Sequence, residues 1–127
     1  MRIASIAAVL GVWLATPALA QALPAPFEST EQVVCVDQPT AVDLLTVYDE
    51  DMEVGDKLLA YLATKGVCEH ATFSGKPVAD RYEREGEQRA GEQREGHVFE
   101  VDVTDGIVLG GRAKAYMVLY IMHDNKA

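Results

Sequence analysis

The chain of 127 residues carries 11 basic against 20 acidic side chains, a formal net charge of −9, with 49% hydrophobic residues. Such a charge disfavours nucleic acid and anionic membrane surfaces as partners, and the ordinary apolar content argues against wholesale disorder. The length fits one domain.

Met1-Arg2 precedes an apolar or small run from Ile3 to Ala15, which Thr16-Pro17 breaks before the small-x-small triplet Ala18-Leu19-Ala20. Charged start, short apolar core and small-residue exit are the parts of a cleavable secretory signal peptide, expected over 1–20 with the cut after Ala20. The apolar stretch is shorter than the roughly 20 residues of a spanning helix. No paired arginines and no cysteine at the cut suggest a twin-arginine route or a lipoprotein anchor. Cleavage removes Arg2 and leaves no membrane anchor. The expected location is the bacterial periplasm or the secreted space.

In an oxidising compartment the two cysteines, Cys35 and Cys68, are expected to form a disulfide. Closing a loop of that length stabilises by about 3–4 kcal/mol in the chain-entropy treatment. The absence of C-x-x-C spacing argues against a redox-active pair.

Residues 21–29 contain two prolines and read as a flexible lead-in to a single domain over 30–127. Val33, Val34 and Val36 mark a strand carrying Cys35. Asp37-Gln38-Pro39-Thr40 is a helix start, with Asp37 or Thr40 as cap and Pro in the first turn. Ala41, Leu45, Tyr48, Met52, Gly55, Leu59 and Leu62 follow at helical spacing. Gly55 costs about 1 kcal/mol inside a helix, so the pattern predicts one kinked helix or two consecutive helices breaking near 51–55. Lys65-Gly66 terminates the segment.

Val67–Phe73 reads as a strand, Gly75-Lys76-Pro77 as a turn and Val78–Arg84 as another strand. A five-residue repeat follows, Gly86-Glu87-Gln88-Arg89-Ala90 and Gly91-Glu92-Gln93-Arg94-Glu95. Its polarity predicts a hairpin tip or mobile charged loop over 84–96. Phe99, Val101 and Val103 alternate with polar neighbours in a half-buried strand. Ile107-Val108-Leu109 reads as a short extended piece. Ala113–Met122 is apolar on both alternating sets and so reads as a strand buried on both faces. His123–Ala127 is a polar tail. The expected fold class is α+β, an antiparallel sheet with the helical segment packed on one face.

Motifs for chemistry fail on spacing. In the acidic run 49–53, a calcium loop starting at Asp49 needs Gly and Glu where Val54 and Ala60 stand. Gly75-Lys76 lacks the rest of a phosphate loop. His70, His97 and His123 form no metal-binding spacing, although His70 and His97 could approach if their strands pair. Ser74 has no nucleophile elbow around it. No catalytic residue, metal ligand or cofactor is assigned. The expected role is a noncatalytic binding module of the cell envelope or secreted space, with a cationic protein as partner. The alternatives are a small hydrolase and a metal- or ligand-binding exported protein.

Overall fold

The computed structural model describes residues 23–85 and 92–124. The expected signal peptide and its cut lie outside the described residues. The elements are β1 (Phe27–Cys35), α1 (Gln38–Glu50), α2 (Met52–Thr64), β2 (Cys68–Glu85), β3 (Glu92–Asp105) and β4 (Lys114–Asp124). Four antiparallel strands and two helices make an α+β fold. The order β1-β2-β3-β4 closes on itself, because β1 pairs with β4 through Val33–Val118, Val34–Met117 and Cys35–Tyr116 as well as with β2.

The helical segment forms two consecutive helices. The Asp37 carboxylate accepts the Thr40 N–H at 2.9 Å, and Pro39 sits in the first turn. Hydrogen bonds from Thr40 hold the Asp37 carboxyl below its ordinary pKa. The break falls at Asp51, whose backbone is extended and whose side chain accepts the N–H groups of Glu53 and Val54 at 2.9 and 3.2 Å. One residue thus ends α1 and caps α2. The break also resets the helical phase. Met52, on the expected buried stripe, is 59% exposed, while Leu44 joins Ala41 and Leu45 inside. Gly55 has a packing reason: a Cβ there would lie 2.5 Å from a ring carbon of Tyr48.

The turn expected at Gly75-Lys76-Pro77 does not form, and those residues lie within the single strand β2. There the strand changes partner, pairing with β1 over Cys68–Gly75 and with β3 over Ser74–Glu85. Register shifts at Ser74/Gly75, Pro77/Ala79 and Asp80/Tyr82 bend it. Bulges let a strand curve without ending. A Cβ on Gly75 would come within 2.7–2.9 Å of Val101, Phe27 and Phe73. Pro77, past the β1 pairing, removes no ladder bond on that side.

Other boundaries shift for related reasons. β1 begins at Phe27, inside the expected lead-in, because Phe27 packs edge-on against Phe73 with ring centres 5.2 Å apart. The β2–β3 ladder enters the segment expected as a loop, pairing Arg84 with Gly96 and Glu85 with Glu95. Residues 86–91 of that segment lie outside the described residues. Ile107–Leu109 is not strand. It belongs to a turn in which Leu109 and Gly110 take positive φ and the N–H groups of Gly111 and Arg112 bond the Val108 carbonyl. That turn drives Val108 fully into the core. β4 continues into the expected polar tail as far as Asp124.

Two apolar clusters share the sheet. Val34, Ala71, Phe73, Phe99, Val101, Val108, Ala115 and Met117 fill the interior of the closed sheet. Cys35, Cys68, Val98 and Val118 meet Ala41, Leu44, Leu45 and Leu59 of the helices on the other face. β4 therefore packs on both faces, as its continuous apolar run requires. Cys35 and Cys68 stand opposite each other on β1 and β2 and form a disulfide, with Cα atoms 4.0 Å apart. No helix among the described residues is long and apolar enough to cross a membrane.

Candidate functional site

Most candidate residues are engaged in holding the fold. Asp49 receives Arg84 and Arg94, each at 3.4 Å, and its side chain is only 8% exposed. Asp51 is the helix cap. The acidic run is therefore the helix junction, with Asp49 turned toward the sheet and Asp51 toward backbone N–H groups. Ser74 Oγ accepts the Ser29 N–H at 3.0 Å and fastens β1 to β2. His70 meets Glu31 at 3.5 Å on the surface. His123 pairs with Gln93 near the end of β4. His70 and His97 do not meet: His70 lies opposite Val33, and His97 opposite Glu83 much farther along β2.

On the helix-covered face, Val33, Tyr48, Met52, Val118 and Tyr120 line a cavity of about 200 Å³. Its walls are two β-strands and the α1–α2 junction. The Tyr48 hydroxyl donates to Asp56 at 2.6 Å, and the Tyr120 hydroxyl donates to the Leu45 carbonyl at 3.0 Å. Burial, followed by the bond to Asp56, pushes the Tyr48 phenol well above its ordinary pKa. Burial, followed by the Asp49 charge, pushes Tyr120 up to about 12. Neither phenol ionises near neutral pH, so the cavity keeps its apolar walls. The Arg94 guanidinium lies over the Tyr120 ring at 5.0 Å. At the lip, exposed Met52 stands among the exposed acids Glu50, Asp51, Glu53 and Asp56.

Farther along β3, Glu100 sits between Lys114 at 2.9 Å and Arg81 at 2.6 Å. Hydrogen bonds from Lys114 and then Arg81 hold its carboxyl below the ordinary range. Asp102 and then Glu100 raise the Lys114 ammonium in turn.

The opposite side of the same ladder holds His97, one of two buried polar residues among those described. Its Nδ1 is 3.0 Å from Asp80 Oδ2 and its Nε2 is 3.3 Å from Glu95 Oε1. Its ring stacks on Phe99 with centres 5.1 Å apart and planes 10° from parallel. Glu83 is its direct partner across the ladder. Sequence spacing could not bring these residues together. Asp80 and Glu83 share a side because the bulge between Asp80 and Tyr82 inserts Arg81 and shifts the alternation by one. The cavity is equally hidden in the sequence, since Val33, Tyr48 and Val118 come from three separate elements.

Comparison with protein-family models, curated proteins and solved structures finds no match.

Proposed function

We propose that the chain is an exported, noncatalytic binding module whose cavity accepts an apolar side chain presented by a basic segment of a partner protein. The observation that carries this reading is the apolar cavity at the α1–α2 junction, with Met52 at its lip among four exposed acids. Apolar anchors in such pockets supply affinity, while a charged rim supplies attraction and register. The net negative charge selects a cationic partner. Export rests on the pattern of residues 1–20, and the Cys35–Cys68 disulfide accords with an oxidising compartment. A hydrolase reading has less support. Ser74 Oγ is held by the Ser29 N–H, and both cysteines are in the disulfide.

Selection of random peptides on the immobilised protein tests the proposal. Enriched peptides are expected to be basic with one large apolar residue. Met52→Ala should weaken their binding several-fold, and Glu53→Lys should weaken it further at low salt than at high salt. Enrichment of acidic peptides, or retention by both variants equal to the parent, removes the reading.

A further inference from the structure

We propose that Asp80, Glu83 and His97 bind one divalent transition-metal ion on the side of the β2–β3 ladder turned away from the helices. Each residue offers one ligand atom, and the three atoms lie within 4.8 Å of one another. One imidazole with two carboxylates is a donor set that suits zinc and its first-row neighbours.

The backbone brings the set together. Glu83 faces His97 directly in the ladder, and the bulge at Arg81 returns Asp80 to the same side. In a regular strand, residues three apart point to opposite faces. Zinc bonds of about 2.0–2.1 Å place two tetrahedral ligands roughly 3.3 Å apart. The present Nδ1 to Asp80 Oδ2 distance of 3.0 Å is already close to that. The ion would sit between these two atoms, and the exposed Glu83 carboxylate would move in as third ligand. Water completes the fourth position, as is usual at open zinc sites.

His97 is prepared for such a role by its surroundings. The residue is 6% exposed, and its ring is fixed flat against Phe99. With a metal on Nδ1 the ring proton sits on Nε2, where Glu95 Oε1 at 3.3 Å is placed to accept it. A carboxylate behind the imidazole is the usual orienting partner of a metal-bound histidine. The exposed Asp80 and Glu83 provide the entry path.

Titration calorimetry of the purified protein with zinc, alongside calcium as a hard-cation control, tests this. One zinc per chain is expected, with much weaker calcium binding. Glu83→Gln should weaken zinc at least tenfold without changing the melting temperature of the metal-free protein. His97→Gln should abolish the site. If His97→Gln fails to fold, the imidazole nitrogen resonances of the parent supply the readout, with Nδ1 shifting on zinc addition and Nε2 keeping its proton. His70→Gln should bind like the parent. Absence of zinc binding overturns the proposal, as does a Glu83→Gln affinity equal to the parent's, which would mean that scattered surface carboxylates hold the ion.

Discussion

On the helix side of the β2–β3 ladder, shielded carboxylates sit between cations: Asp49 between Arg84 and Arg94, Glu100 between Arg81 and Lys114. On the other side the arrangement is inverted, and the His97 imidazole faces Asp80, Glu83 and Glu95. The two sides are one residue apart along the same strands. A carboxylate flanked by two cationic side chains is a closed electrostatic unit and holds elements together. The His97 imidazole, with Asp80 and Glu83, instead offers three ligand atoms within 4.8 Å of one another. Carboxylates thus do different things on the two sides of one ladder: paired with arginine and lysine they hold elements together, and beside an imidazole they offer ligand atoms.

That contrast can be broken by experiment. The largest effect is expected where the helix side is cross-linked. Replacing Cys35 and Cys68 together by alanine should cost about 3–4 kcal/mol in denaturant unfolding, and a loss below 1 kcal/mol would deny the helix side its structural role. Asp49→Ala should come next, at about 2–3 kcal/mol, because it strands Arg84 and Arg94 against the sheet. Gly96→Ala should cost about 1–2 kcal/mol, since its Cβ would lie 2.7 Å from Leu45 Cδ1 and wedge α1 away from the ladder.

Glu100 adds a pH dependence. Its folded pKa is depressed below the ordinary 4.5. The stability it contributes is therefore complete above that value and is lost as pH falls through the lower folded one. Glu100→Gln should lower the melting temperature at pH 7, and by progressively less as pH falls below 4.5, measured by calorimetry. Glu83→Gln, on the opposite side, should shift metal-free stability by less than about 0.5 kcal/mol. A larger loss would make the His97 cluster one more structural ion network.

The elements most legible in the sequence are those written in apolar periodicity and local chemistry. The valines of β1, the cap at Asp37 and the two-faced apolar run of β4 each state their structure within a few residues. The helix break was visible through Gly55, although the residue that makes it is Asp51, whose side chain caps what its backbone interrupts. The sequence of β2 reads as two strands, because Gly75 and Pro77 are turn residues wherever packing does not overrule them. Here Phe27, Phe73 and Val101 crowd the glycine and the bulges absorb the bend. The His97 cluster was illegible for the same reason. Nothing local in Asp80-Arg81-Tyr82-Glu83 announces a bulge, and without one the two carboxylates part company.

The cross-strand disulfide joins the last residue of β1 to the first of β2, so α1 and α2 hang between its two ends as a closed loop. A protease that nicks the exposed junction at Asp51–Glu53 would therefore release no fragment. The two pieces would migrate as one chain until a reductant separates them, and the nicked helices would remain tethered at the adjoining ends of β1 and β2.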